Sequence, residues 1–315
     1  MKHVPVLLNE VIKYLNPQSN QNFIDATVGD GGHALEILRH ISPSGRVLGI
    51  DWDEAAIENL KGIGSNGIKD MKGEGQGEKN KVVGSGLDTG SNAWEAEPPR
   101  TYSRSGIEPR SYPSRSSLDK TRDKSGQVKN LRSRLVLIQN NFAQIKNISR
   151  SHFDKVNGVL FDLGLRTEEI EEASRGFSFM KDGPLDMRFD RSQPLTAAEI
   201  VNTWSEQKLA KIFRELGEER NYKKIARAVA AAREKNKITT TGELVEILDK
   251  TNRAYRSYKT YSRIFQALRM AVNGELENLE AGLVGAWEIL DSGGRLAAIS
   301  FHSLEDRVVK NFFKE

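Results

Sequence analysis

Phe23-Ile24-Asp25-Ala26-Thr27-Val28-Gly29-Asp30-Gly31-Gly32-His33 is the stretch on which the reading of this chain turns. A short apolar strand, Phe23–Ala26, runs into a glycine-rich bend, and Gly31–Ile41 then carries apolar residues at helical spacing. Glycines let such a bend turn sharply and bring backbone N–H groups at a helix N-terminus close to a ligand. Arg46–Asp51 (RVLGID) reads as a second strand that closes on Asp51, 20 residues after Gly31. A carboxylate there can accept both hydroxyls of a ribose. The loop by itself leaves two cofactors open. Gly29-x-Gly31-x-x-Ala34 formally fits the dinucleotide fingerprint of NAD. Asp25 and the bulky His33 suit the cationic amine of S-adenosylmethionine better than a pyrophosphate.

Outward from this stretch the alternation continues. Glu54–Lys61 is a second helix, Leu135–Gln139 a third strand, Val156–Asp162 a fourth, Gly294–Phe301 a fifth and Ser303–Phe313 a final helix. Near-continuous apolar strands alternating with helices predict an α/β protein with a parallel, doubly wound sheet. Residues 195–290 break the pattern and read as helical. Thr196-Ala-Ala-Glu199 and Thr240-Thr-Gly-Glu243 each fit a capping box. A helical subdomain inserted between the last two strands would lie near the carboxyl ends of the sheet, where doubly wound folds bind ligands.

Residues 62–134 read differently. They hold 11 of the 27 glycines and no sustained apolar period, so they bury too little surface to offset their ordering entropy. A disordered low-complexity insertion is expected, with an RNA-binding basic segment around Tyr102–Arg115 as the rival. The insertion carries 14 Lys/Arg and 9 Asp/Glu, whereas the rest of the chain holds 33 basic and 34 acidic residues. The basic pI near 9.0 therefore belongs to one segment and says little about partners of the folded part. The absence of cysteine excludes disulfides and zinc-thiolate sites and fits a reducing, cytoplasmic setting. No metal site is expected. No apolar run reaches membrane-spanning length, and the start lacks the order of a signal peptide, so no membrane association is expected.

Six motifs occur in a fixed order: DATVGDGGH at 25–33, FDLG at 161–164, RGFSFMKDGPLDMRFD at 175–190, GEER at 217–220, FQALRMAVNGEL at 265–276 and ISFHSLEDR at 299–307. Together they resemble the 16S ribosomal RNA cytosine-N4 methyltransferase family, over essentially everything except 62–134. The resemblance implies a Rossmann-like class I methyltransferase sheet formed by 1–61, 135–194 and 291–315, with 195–290 as a helical subdomain over the acceptor site. It implies S-adenosylmethionine as cofactor and 16S ribosomal RNA or the small ribosomal subunit as partner. Cofactor contacts are expected from Gly31, Gly32, His33, Asp51, Phe142, Asp162 and Glu169. Asp162, Asp186, Arg188 and His302 are the catalytic candidates, with Asp306 beside them. Asp162 can accept from the methionine ammonium or from the cytosine amine, and it is the first choice for the hydrogen-bond acceptor that draws the amine lone pair out of conjugation with its ring.

The chain departs from the family pattern in places. Arg166 stands where a serine is usual, and Glu169 replaces a glutamine, losing an amide donor and adding charge. Lys259-Thr-Tyr-Ser-Arg263 replaces a His-Pro-Ala-Thr-Arg run, and the basic tail that follows SFHSLEDR in the family is expected to be missing. These changes keep a same-fold RNA-binding protein with weak catalysis as one alternative. An NAD-dependent oxidoreductase is the other.

Overall fold

The computed structural model describes residues 5–66, 100–103, 133–251 and 258–314. After a first helix, α1 (Leu8–Leu15), the order is β1 (Phe23–Asp25), α2 (Gly32–His40), β2 (Val47–Asp51), α3 (Glu54–Asn66) and β3 (Arg100–Ser103). Then come β4 (Leu135–Gln139), a 3-10 turn at Phe142–Gln144, α4 (Ile145–Arg150), β5 (Val156–Asp162) and α5 (Thr167–Glu171). The helices α6 (Ala197–Thr203), α7 (Glu206–Glu215), α8 (Tyr222–Arg233), α9 (Thr241–Thr251) and α10 (Tyr258–Asn273) follow. The chain returns to the sheet through α11 (Glu275–Ile289), β6 (Leu290–Ser300) and α12 (Ser303–Lys314).

The sheet order is β3-β6-β5-β1-β2-β4, with β3 antiparallel to β6 and the other neighbours parallel. The chain winds from β1 outward through β2 to β4, then crosses back to β5 on the opposite side of β1. The order reverses between β1 and β5, which is the topological switch point where such sheets open a crevice beyond the strand ends. The glycine loop leaves β1 there, and Asp162 ends β5 there.

Close packing holds the two central strands together. Phe23 is fully buried, and a Cβ on Gly158 of β5 would collide with its ring. The glycine in VNGVLFD is therefore the space that Phe23 fills. One face of the sheet packs Ile24, Leu48, Val159 and Phe161 against α4 and α11 through Ile145, Leu279, Leu283 and Ala286. The other packs Phe23, Val47 and Leu160 against α1, α2 and α3 through Leu15, Ile37, Leu38 and Ile57.

The helical subdomain has its own core, which includes Ile200, Leu209, Phe213, Val229, Leu244 and Leu268. Both expected capping hydroxyls act as such: Thr196 accepts from the Glu199 amide and Thr240 from that of Glu243. Glu243 accepts in return from the Thr240 amide. The boundaries differ from the expected 195–290. Phe177, Leu185 and Met187 belong to the subdomain core, whereas the expected boundary puts them with the sheet. Conversely, α11 packs on the sheet. The RGFSFMKDGPLDMRFD stretch has no helical or strand period, so which core it joins is settled only by contact.

The 62–134 segment also differs from a wholly disordered insertion. Residues 62–66 continue α3, and Arg100–Ser103 form an edge strand pairing with Ala297–Ser300. Arg134, at the other end of the expected insertion, is buried and donates to the carbonyls of Gly45 and Leu38, so it belongs to the folded part. The remainder of the insertion, including nearly all of the basic Tyr102–Arg115 stretch, lies outside the described residues. A short polar strand is stable there because β6 offers a ready ladder of backbone partners. Replacing 67–132 by a Gly/Ser linker is expected to speed amide exchange at residues 297–300 while leaving β1 unaffected. Unchanged exchange would show that β3 adds nothing to the edge.

Candidate functional site

The crevice at the switch point is a cavity of about 330 Å³ lined by the loops that follow β1, β2, β4, β5 and β6. Gly29, Asp30, Gly32 and His33 come from the first loop, Asp51, Trp52 and Asp53 from the second, and Phe142 from beyond β4. Asp162, Gly164, Arg166 and Glu169 come from the segment after β5, and Phe301 from the end of β6. Phe189 reaches in from the loop that joins sheet and subdomain.

Asp51 is held for a ligand. Its carboxylate accepts from the amides of Gly29 (2.8 Å) and Asp53 (2.9 Å), which leaves further lone pairs facing the cavity. Burial raises its pKa, and those two amides pull it back. Trp52 packs against Phe142 and Phe189 with ring centroids 6.2 and 5.9 Å away, giving an aromatic end to the cavity. Gly31 turns away from this space: it caps α2 with φ 77°, and a Cβ there would lie 2.7 Å from Leu60. Gly32 is approached so closely by Pro5 that a Cβ would collide. Of the expected pair, Gly32 lines the cavity and Gly31 shapes the turn.

Asp162 lies at the centre. Its amide donates to the Thr27 hydroxyl at 2.7 Å, which ties the end of β5 to the glycine loop. Its Oδ2 is 3.4 Å from His33 Nδ1, while His33 Nε2 is 2.9 Å from the Val6 carbonyl. Its Oδ1 is buried without a hydrogen-bond partner. A buried acceptor in that state is costly unless a ligand supplies the donor. Burial, and then the charge of Glu305, push the Asp162 carboxyl up to about 7.

Other expected residues are placed differently. Asp25 is fully buried, outside the lining, and its carboxyl accepts from the Thr27 amide; burial pushes it up to about 8. It therefore braces the loop and does not face a cationic amine. Asp186 and Arg188 pair with each other at 2.7 and 2.9 Å, and Arg188 also donates to the carbonyls of Arg191 and Gln193. Neither lines the cavity; they fix the loop that delivers Phe189. His302 Nε2 is 3.0 Å from Glu305 Oε1 and also stands outside the lining. Asp306 pairs with Lys310. Glu275, His302 and Glu305 form the group with metal-ligand spacing among the described residues. Both Glu275 oxygens accept from Arg269, and Glu305 Oε2 accepts from the Phe301 amide, so the two carboxylates are engaged by protein donors.

Glu169 does line the cavity, in company the sequence did not suggest. Arg166 passes over Gly29 to pair with Asp53, with Asp30 and Glu169 each 3.7 Å away. Arg175 joins from below, 3.2 Å from Asp53. Burial pushes Glu169 up to about 7 against the pull of Arg166. Five carboxylates thus line the cavity against the cation of Arg166. That balance favours a ligand carrying positive charge and hydroxyls, and it opposes a pyrophosphate.

Residues 1–72 and 116–315 match the MraW methylase family. The chain belongs to that family. Relatives over its whole length agree. A ribosomal RNA small subunit methyltransferase H from Carboxydothermus hydrogenoformans is 37% identical over 315 residues, covering 99% of this chain and 80% of the relative. The protein of the same name from Symbiobacterium thermophilum is 37% identical, covering 99% and 79%. That from Clostridium botulinum (strain Kyoto) is 36% identical over 317 residues, covering 100% and 82%. The chain is an enzyme of a methylase family, and these relatives lend no support to the oxidoreductase or binding-only alternatives. The stretch 73–115, which contains β3, lies outside the family match.

The raised carboxyls predict a pH signature of the ligand-free protein. Asp25 and Asp162 start near 3.8 when unfolded and titrate near 8 and 7 when folded. Between those limits the folded state holds protons that the unfolded chain has released, so their contribution is full below about pH 4. It declines as pH rises and levels off above about 8. Urea midpoints at pH 5.5 and 8 should therefore differ less in Asp162→Asn than in the parent. Equal differences would show that Asp162 titrates normally.

Proposed function

We propose that this methylase transfers a methyl group from S-adenosylmethionine to the exocyclic N4 amine of a cytidine in 16S ribosomal RNA, in the small ribosomal subunit or its precursor RNA. The observation that carries this reading is the unpartnered Oδ1 of Asp162, buried at the switch point between the glycine loop and β6. The names of the relatives supply the substrate class: small-subunit ribosomal RNA.

The residues present fit the cofactor. Asp51 would hold the ribose hydroxyls, Trp52 and Phe142 would flank the adenine, and Gly32 with His33 would face the methionine end. The carboxylate-rich lining suits a sulfonium and an ammonium. When bound, S-adenosylmethionine supplies an electrophilic methyl group. The protein's task is then alignment and desolvation, which carry much of the rate in a one-step displacement. Asp162 Oδ1 accepts a hydrogen from the cytosine amine and draws the nitrogen lone pair out of conjugation with the ring. As the N–C bond forms, the methyl–sulfonium bond would break with its electron pair left on sulfur as a neutral thioether, and the amine, now acidic, passes its proton to the carboxylate or to water. A carboxyl near 7 accepts that proton at neutral pH. The base must leave its stack to reach this depth. No helix among the described residues is long and apolar enough to cross a membrane. A cytoplasmic site of action accords with a ribosomal substrate.

Asp51→Ala should weaken cofactor binding by about 1–3 kcal/mol, the cost of unpaired ribose hydroxyls, measured by equilibrium titration. Affinity equal to that of the parent removes Asp51 from the site. Asp162→Asn keeps shape and removes the charge. In methyl transfer to small subunits lacking the modification, its turnover should fall by roughly 100-fold with a much smaller change in cofactor affinity. A fall in affinity with recovery at saturating cofactor would move Asp162 to the methionine ammonium. Full activity with full affinity excludes both roles.

A further inference from the structure

Phe301 is 43% exposed, although it directly follows the buried second half of β6, Leu296–Ser300. Its place in the sheet gives that exposure a meaning. Asp51 and the aromatic pair Trp52 and Phe142 lie beyond β2 and β4, on one side of β5. Phe301 follows β6, on the other side. Asp162 of β5 stands between, its backbone in register with Ile299. One cavity therefore has two ends that meet at Asp162, and the end beyond β6 is the one that the cofactor-binding residues leave open.

The ring is seated. Gly164 has φ 131°, a conformation that favours glycine, and a Cβ there would lie 2.9 Å from Phe301 Cδ2 and 3.2 Å from Cε2. One side of the phenyl thus rests on the Gly164 backbone, and the residue still exposes nearly half its surface. Its backbone is pinned as well. The Phe301 amide donates to Glu305 Oε2 at 2.9 Å, and Glu305 is itself buried beside His302 and Arg269. This arrangement spends a buried carboxylate on holding an exposed phenyl still. The Gly164 and Glu305 contacts also give roles to two residues of FDLG and SFHSLEDR that the mechanism does not otherwise use.

We propose that Phe301 is the stacking platform for the extruded target base, its free face holding the cytosine ring in position for Asp162 Oδ1 to take the N4 hydrogen. This rests on the reading of the protein as a cytidine N4-methyltransferase. A single exposed phenylalanine is ordinary on a protein surface; the seat on Gly164, the pinned amide and the position across Asp162 from the adenosine end set this one apart. Stacking accepts any base, so Phe301 supplies affinity and orientation, and discrimination belongs to the polar contacts around Asp162. A phenyl on a fixed backbone loses little freedom on binding, which makes it an effective partner for a base already unstacked.

The full chain is tested as Phe301→Tyr, Phe301→Leu and Phe301→Ala. Tyr keeps the π face, Leu keeps apolar bulk without it, and Ala removes both. The first measurement is methyl transfer to small subunits lacking the modification. Tyr should stay within about twofold of the parent in kcat/KM. Leu and Ala should lose about tenfold or more, chiefly through KM for the subunit, with cofactor affinity and thermal midpoint unchanged. The second measurement does not depend on turnover. A short oligoribonucleotide carrying one fluorescent cytosine analogue should be quenched by the parent and by Phe301→Tyr, and not by Phe301→Leu. Leu matching the parent in both measurements overturns the platform, as does a loss of cofactor affinity equal to the loss of activity. A parent that quenches the analogue but transfers no methyl group overturns the proposed function and leaves the platform standing.

Discussion

The amide of Asp162 donates to the Thr27 hydroxyl across the point where strand order reverses. Most of the site follows from this contact. It joins the end of β5 to the bend after β1, so the carboxylate and the glycine loop share one crevice. It depends in turn on β1 and β5 being drawn together, which Phe23 achieves by occupying the space that Gly158 leaves. A side chain at 158 would separate the strands and move Asp162 relative to the loop. The core packing and the chemistry are thus one constraint.

The cavity concentrates acid groups at a cost. Burial lifts Asp51, Asp162 and Glu169 above their usual range, as it does Asp25 behind the lining, and Arg166 and Arg175 offset only part of the repulsion. A protein tolerates such an arrangement where a ligand of opposite charge completes it. The substitution of Arg166 and Glu169 for neutral residues fits this picture. They enter as a pair, with Asp53 and Arg175, so the added charges largely cancel within the network. Three residues apart in sequence they look like damage to a cofactor motif; in space they are one ion cluster.

The helical subdomain works mainly through what it delivers. The self-contained Asp186–Arg188 pair shapes the loop that brings Phe189 to Trp52, and Asn273 of α10 accepts from the Phe189 amide. At the other end of the subdomain, Glu218 accepts from Ser303 and Arg307, beside the turn that presents Phe301. The subdomain therefore braces the cavity both at its Trp52–Phe142 end and at its Phe301 end. Meanwhile β3 covers the outer edge of β6 with residues from outside the family match.

The doubly wound α/β class, the five parallel strands within a few residues, both capping hydroxyls and the family were legible in the residues alone. These are local properties: period, spacing, cap chemistry and motif order act over a few residues and need no knowledge of the rest of the chain. The family resemblance, and not local pattern alone, named Gly31, Gly32, His33, Asp51, Phe142, Asp162 and Glu169 as cofactor contacts, and all of these but Gly31 line the cavity. Only the tertiary structure decided which carboxylates face the cavity and which do not. Asp25 and Asp186 sit in motifs as conspicuous as that of Asp162, yet one is turned into the core and the other is consumed by Arg188. Sequence places a side chain near a strand end, but the direction it points and the partner it finds depend on long-range packing. The same reason hid Phe301, whose role rests on Gly164, 137 residues earlier in the chain. It also hid β3, a polar stretch that becomes a strand because β6 offers it an edge.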